Sequence, residues 1–371
     1  MATDTLGLYV HIPFCVRKCN YCDFCSFNIS LIEWRDKYID RLCEEIASYK
    51  NKGIRLDTVF FGGGTPSLLT PEEFVKIFHV IKDSFEISED AEITVEANPK
   101  TLDCEKLSAF GECGVNRLSI GLQSVHENEL KILGRIHNFE DFLASYNLAR
   151  EYGIDNINVD LMCGIPEQTM KSFSDTLSAV LSLKPEHISL YGLILEEGTP
   201  FFDGRESLSL PSEENECDMY YFAADMLRSA GYSHYEISNY SLPDKPSRHN
   251  LKYWRCQEYI GVGVAAYSYF EGKRYGNSNC IEEYLAEART NYDKEAESPD
   301  EAYEYVMLRL RLAEGFSLFD YRARFGVDFL DNRMDLIDSL VNAGYIAFQG
   351  DRIALTERGF YVSNSILTEL I

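Results

Sequence analysis

Cys15, Cys19 and Cys22 stand in a C-x3-C-x2-C spacing and Cys25 follows, so four of the chain's 11 cysteines fall within one short loop. Thiolates this close together ligate metal. Three of them can hold three irons of a [4Fe–4S] cluster and leave the fourth iron open to a small molecule. Zinc is the competing chemistry, with Cys25 as a fourth ligand, but structural zinc usually takes paired C-x2-C knuckles and no second pair follows. Cys43, Cys104, Cys113, Cys163, Cys217, Cys256 and Cys280 are scattered and read as small apolar residues. The odd cysteine count argues against a disulfide framework. MATDTLGLYVHIPFC lacks the basic start and long apolar run of a leader, and no long apolar stretch follows, so the expected location is cytoplasmic, without a transmembrane segment.

The elements that would carry such a loop alternate regularly. Strand-like runs at Leu6–Ile12, Thr58–Gly63, Glu92–Ala97, Arg117–Gln123, Asn156–Met162 and His187–Ile194 are separated by amphipathic segments at 31–51, 71–85, 101–113, 139–152 and 170–183. This is the period of a βα unit, and six units predict an α/β fold, a parallel sheet or partial (β/α)6 barrel. Each strand ends in polar or glycine-rich residues (HIPFC, GGGTPS, EANP, GLQS, DLMCG, LEEGTP), and the carboxyl ends of parallel strands are where such folds place their sites. After about residue 196 the pattern changes to acidic loops, a helix near 212–230, a charged stretch at 282–300, then a smaller, mostly helical tail with a hairpin in YIAFQGDRIAL. The order of this tail resembles a winged helix. The expected domains are 1–240, a connecting segment 241–298 and a C-terminal domain 299–371.

Charge narrows the function. The chain of 371 residues carries 35 basic and 60 acidic side chains, a net −25. Residues 299–371 hold 7 Arg, no Lys and 12 acidic side chains, a net −5. Nucleic acid and anionic membranes both call for a basic face, so the tail is expected to have a structural or lid role.

From Tyr9-Val-His-Ile-Pro-Phe-Cys15 through Cys22, the chain resembles the start of the radical S-adenosylmethionine (SAM) superfamily, in the group that contains the oxygen-independent coproporphyrinogen III dehydrogenase HemN and the heme chaperone HemW. The resemblance spans nearly the whole chain and implies a radical SAM barrel. It implies a [4Fe–4S] cluster on Cys15, Cys19 and Cys22, with SAM chelated by the open iron. It further implies SAM contacts from Tyr9, the Gly63-Gly64-Thr65 turn, Glu96, Gln123, Arg135, Asp160 and Ile194. Those residue types offer acceptors for an ammonium and ribose hydroxyls and a guanidinium for a carboxylate.

Within this group two features separate the readings. The dehydrogenase pattern has a fourth cysteine two places after the third, where this chain has Phe24, and an N-terminal extension, whereas only five residues precede Leu6 here. His249-Asn250-x2-Tyr253-Trp254 matches the HNxxYW motif of the chaperone side, which the resemblance links to heme. Imidazole is a good iron ligand, the aromatics offer flat apolar surface, and Arg248, Lys252 and Arg255 are candidates for the propionates. His11 and Cys25 are alternative iron ligands. Gly261–Ser268 reads either as a place of close ligand approach or as tight packing. The expected function is a heme chaperone serving apo-hemoproteins, with an electron donor as a further partner, acting as monomer or homodimer. The alternative is a radical SAM enzyme that decarboxylates coproporphyrinogen III or modifies another porphyrin.

Overall fold

The computed structural model describes residues 5–31, 33–286 and 300–371. The six expected strands are present: β1 Leu6–Ile12, β2 Arg55–Gly63, β3 Glu86–Ala97, β4 Arg117–Gln123, β5 Ile157–Cys163 and β6 His187–Gly192. Neighbours pair in parallel throughout. Between them run α1 Arg35–Ala47, α2 Pro71–Ser84, α3 Cys104–Cys113, α4 Phe139–Glu151 and α5 Met170–Leu183. Their starts follow from local chemistry. Thr70 and Glu73 form a reciprocal capping box ahead of α2, with Pro71 at its first position. Asn138 and Asp141 do the same for α4.

Strand alternation sets the cavity. Leu8, Val10, Val59, Phe61, Val95, Leu118, Ile120, Val159, Leu161 and Ile188 are fully buried on the helix side of the sheet. The intervening residues, among them Thr58, Glu92, Glu96, Arg117, Ser119, Asn158, Asp160, His187 and Ser189, are polar. Because successive side chains point to opposite faces, they share the inner face. Parallel strands covered on both faces usually read as continuous apolar runs. This sheet covers only one face with helices, and its inner wall is polar.

The sheet is larger than a six-stranded partial barrel. β7 Ser233–Glu236 and β8 Asn239–Ser241 extend it antiparallel from β6. On the other edge β9 Tyr259–Val262 pairs parallel with β1, followed by antiparallel β10 Tyr267–Phe270 and β11 Lys273–Gly276. The order is β11-β10-β9-β1-β2-β3-β4-β5-β6-β8-β7, an open sheet of 11 strands. The expected boundary at 240/241 falls inside β8, and the segment read as a connection supplies one edge of the barrel sheet. Gly261 shows why that run packs closely: a Cβ there would lie 2.1 Å from the Tyr267 carbonyl oxygen.

The floor of the barrel is α6 Arg248–Trp254, which carries the HNxxYW motif. Glu92 accepts from the backbone N–H groups of Arg248 and His249, both at 3.0 Å, and Ser247 caps the same turn. Lys252, almost wholly buried, pairs with Asp57 at 2.8 Å. A second core around Val306, Leu310, Phe316, Phe329, Ile337 and Ile353 organises residues 300–371. Its three-stranded antiparallel sheet joins Phe316–Ser317, Arg352–Leu355 and Ile346–Gln349. This body docks on β7 through Ile237 N to Arg311 O at 2.9 Å and Ala313 N to Tyr235 O at 3.0 Å. It braces α6 through Arg255 and Glu314 at 3.3 Å and through Arg311 over the Trp254 ring. None of its described residues lines the cavity, so its contacts are those of a brace rather than a lid. Of the charged stretch 282–300, helix Ile281–Ala286 is in place, and 287–299 lies outside the described residues. Among the described residues no helix is long and apolar enough to cross a membrane.

Removing the Glu92 carboxylate strands two buried N–H groups at the start of α6. Glu92→Ala is expected to lower the unfolding free energy by about 2–3 kcal/mol, and Glu92→Gln, which keeps one acceptor oxygen, by less. Denaturant titration of the two variants checks this; equal and negligible losses would show that α6 is held by its apolar contacts alone.

Candidate functional site

β1 delivers the cysteine loop. It ends at Ile12, and the chain pairs briefly as Phe14–Cys15 with Phe27–Asn28, which closes the loop at its base. Asn20 anchors the far side, with its backbone N–H on the Leu133 carbonyl at 2.9 Å and its side chain on that of Ile132 at 2.8 Å. Cys15, Cys19 and Cys22 all line one cavity of about 470 Å³ at the carboxyl ends of the strands. The Cys15 Sγ lies 3.7 Å from the Thr65 hydroxyl, and Arg135 Nη1 points at the Cys19 Sγ at 3.6 Å. Burial pushes the Cys15 thiol up and the Cys22 thiol to about 11. A bound metal reverses that preference by taking the thiolate. Among the described residues no three His, Cys, Asp or Glu side chains converge on one point as a single ion requires. The donor set suits a cluster better, because each thiolate then binds its own iron. Cys25 does not line the cavity; its Sγ lies 3.8 Å from the Asn279 carbonyl oxygen.

The wall opposite is built by the strand ends. Gly63 has φ +112°, open to glycine, and a Cβ on Gly64 would sit 2.7 Å from the Phe14 carbonyl oxygen. The turn therefore packs against the base of the cysteine loop at backbone contact. Gly63 N donates to Glu96 at 3.1 Å. Arg135 reaches the Asn98 side chain at 2.5 Å and the Gly121 carbonyl at 2.6 Å, while its Nε has no hydrogen-bond partner among the described residues. Asp160 accepts from Asn158 at 2.7 Å and from Ser119 at 3.2 Å. The Gln123 Oε1 is buried without a hydrogen-bond partner among the described residues. Desolvation, with the nearby charge of Asp160, pushes Glu96 up to about 8, and desolvation raises Asp160 as well. The cavity thus presents three thiols, an incompletely satisfied guanidinium and two reluctant carboxylates, a set that a zwitterionic ligand would complete.

Gly63, Gly64, Thr65, Glu96, Gln123, Arg135, Asp160 and Ile194 all line the cavity. Tyr9 does not. It stacks on Phe60 behind the glycine turn and hydrogen-bonds His11 at 3.0 Å. Sequence reasoning missed Arg117, Ser119, Asn158, Ser189 and Tyr191, which also line it. Their signal was the polar half of each strand's alternation.

The HNxxYW motif is not gathered around a ligand space. His249 is 1% exposed, with Nδ1 on the Thr58 hydroxyl at 2.8 Å and Nε2 on the Tyr253 hydroxyl at 2.7 Å. Burial drives its pKa down to about 3. Both ring nitrogens are committed to hydrogen bonds, so the expected heme ligation by His249 would require one of these bonds to break. Tyr253 packs edge-on against Tyr259, Trp254 faces the C-terminal body, and only Asn250 reaches the cavity. Lys252, Arg248 and Arg255 are paired with Asp57, Asp90 and Glu314. His11 is also committed, to Tyr9 and to the Cys25 carbonyl at 2.8 Å.

Comparison with known proteins agrees with this geometry. The model of the radical SAM superfamily matches residues 9–180, and that of the HemN C-terminal domain matches residues 297–362. The heme chaperone HemW of Lactococcus lactis is 34% identical over 98% of this chain and 96% of its own. That of Bacillus subtilis is 35% identical over 96% and 97%. Among solved structures, coproporphyrinogen III oxidase (HemN) from Escherichia coli superposes with a TM-score of 0.84 over 99% of this chain and 90% of that one, at 23% identity, a likeness of fold. With the cysteine loop, the glycine turn and the polar barrel all in place and HemW proteins matched from end to end, the chain belongs to the HemW family of the radical SAM superfamily.

Proposed function

We propose that this protein is a heme chaperone, which binds heme and passes it to apo-hemoproteins. The observation that carries the reading is the end-to-end match, at 34% identity, to proteins named as heme chaperones. Phe24 in place of the dehydrogenase's fourth cysteine supports it over the decarboxylating alternative. The reading includes a cytoplasmic location, an electron donor, apo-hemoprotein acceptors and a monomer or homodimer. It also takes residues 300–371, with their own core, as a separate C-terminal domain.

In this reading Cys15, Cys19 and Cys22 hold a [4Fe–4S] cluster, and Gly63, Gly64, Thr65, Glu96, Gln123, Arg135, Asp160 and Ile194 surround SAM. Bound there, the cluster supplies a single electron and an iron open to the amino and carboxylate groups of SAM. The protein's part is positioning. Arg135, beside the Cys19 Sγ, places a fixed positive charge next to the thiolates. Glu96, held by the Gly63 N–H, faces the cavity as the acceptor for an ammonium. Tyr9 acts one layer back, through Phe60 and His11.

Two outcomes are expected. Cys19→Ala should lose most of the iron and the visible absorption of anaerobically reconstituted protein; unchanged iron content would remove Cys19 from the ligand set. The intact protein should take up heme with its macrocycle unaltered, transfer it to an apo-hemoprotein and leave coproporphyrinogen III unchanged. Decarboxylated product would make it a dehydrogenase despite Phe24.

A third follows from Glu96. Burial and the charge of Asp160 push its pKa up to about 8, which keeps it protonated at pH 7, and an adjacent ammonium favours the ionised form. Binding SAM at pH 7 should therefore release up to one proton, read as a dependence of the calorimetric heat on buffer ionisation enthalpy. Glu96→Gln should abolish that dependence. The sign carries over to stability. A carboxyl raised from its unfolded value destabilises the empty protein progressively as pH rises toward 8, and Glu96→Gln should flatten that decline.

A further inference from the structure

Val16, Phe24, Ile136 and Ile194 are 45%, 64%, 51% and 63% exposed, and all four line the cavity. They come from three separate segments: the cysteine loop, the turn before α4 and the chain leaving β6. Together they make a broken apolar rim at the open end of the barrel. Exposed apolar groups that converge on one opening mark a binding surface more often than scattered ones do. Beside them stand Arg17 and Lys18, both exposed. Arg17 has no ion pair or hydrogen bond among the described residues, and Lys18 makes one, to the Phe24 carbonyl at 2.9 Å. On a chain of net charge −25, two cations against the single Asp23 of that loop are a local reversal of sign.

Of the chain's 7 histidines, His137 alone lines the cavity. Its Nε2 lies 3.2 Å from the Leu122 carbonyl oxygen. A carbonyl only accepts, so Nε2 carries the hydrogen and Nδ1 keeps its lone pair. Nδ1 has no hydrogen-bond partner among the described residues, unlike the nitrogens of His249 and His11. A carbonyl accepting from one nitrogen is the usual arrangement for an imidazole that ligates metal through the other.

We propose that heme docks at the mouth of the barrel on the rim formed by Val16, Phe24, Ile136 and Ile194, with its propionates toward Arg17 and Lys18 and its iron ligated by His137. This rests on the heme-chaperone reading and adds the place and the ligand. A flat apolar ring with an anionic edge fits an apolar rim with two cations on one side. The motif that sequence suggested for heme instead closes the opposite end.

The test is an anaerobic heme titration of the full-length, cluster-loaded protein. Wild type that takes up no heme would overturn the chaperone reading itself. Given uptake, the double variant Phe24→Ser/Ile136→Ser should bind at least about tenfold more weakly, the scale set by losing apolar contacts of this size. Arg17→Glu, fully on the surface, should also weaken binding and keeps the test decisive if the double variant loses its cluster. His137→Ala should shift the Soret band and the electron paramagnetic resonance signature of the ferric iron, and added imidazole should restore both. Wild-type affinity in both rim variants overturns the site, and a wild-type spectrum in His137→Ala overturns the ligand. If the double variant instead turns a dimer into a monomer with heme affinity unchanged, the rim belongs to a second copy of the chain and the proposal fails.

Discussion

A barrel whose inner wall is polar must satisfy that wall, and most of this structure is arranged around the requirement. An unpaired polar group away from water costs about as much as a lost hydrogen bond, and a charge costs more. The wall meets the demand largely within itself. Asn158 links His187, Ser119 and Asp160, at 2.6, 2.7 and 2.7 Å. Asn98 joins Thr65 at 2.8 Å to Arg135 at 2.5 Å. Among the atoms left over in the described residues are the Gln123 Oε1 and the Nε atoms of Arg135 and Arg117, on residues that line the cavity. A ligand that satisfies them is bound by groups already desolvated and already oriented, so its binding also stabilises the fold.

The same requirement explains the two ends. A polar channel open at both ends would admit water throughout. α6 closes one of them with His249 stacked on Phe60 and hydrogen-bonded to Thr58 and Tyr253. Glu92 ties the first turn of that helix to β3. The C-terminal body then holds the last turn from below, through Arg311 and Glu314. The HNxxYW residues thus pack at the end of the barrel away from the cysteine loop.

Much of this was legible in the sequence, for identifiable reasons. β1 and β4 fall where alternation put them, because each has an apolar half that must reach the helices. α2 and α4 begin just after Thr70 and Asn138, whose side chains cap them. The cysteine loop and glycine turn were found because their spacing has few other uses. What was missed is contact between distant segments. Nothing local in Tyr259–Val262 says that it will pair with β1, and the Gly261 approach to Tyr267 is invisible without that pairing. The polar residues Arg117, Asn158 and Ser189 were passed over because each looks like an ordinary interruption of a strand. At His249 the distant contacts are again what local sequence does not show. Flanking cations and aromatics suggest a ligand site, but Asp57, Asp90 and Glu314, far away in sequence, neutralise those cations.

A carrier must also let its cargo go, and this bears on where heme is best held. A site in the barrel floor would enclose the ring, bury both faces and require α6 and the C-terminal body to move for release. A rim leaves one face and one edge outside. Apolar contact on one face gives useful affinity, and the exposed face remains open to an acceptor that completes the other half. Because the rim side chains are already exposed before heme arrives, no core has to be opened for the exchange. The acidic surface adds a bias. Outside the mouth the protein's field repels the propionates, so their favourable charge contacts lie at Arg17 and Lys18, and an acceptor that offers stronger ligation there can take the heme.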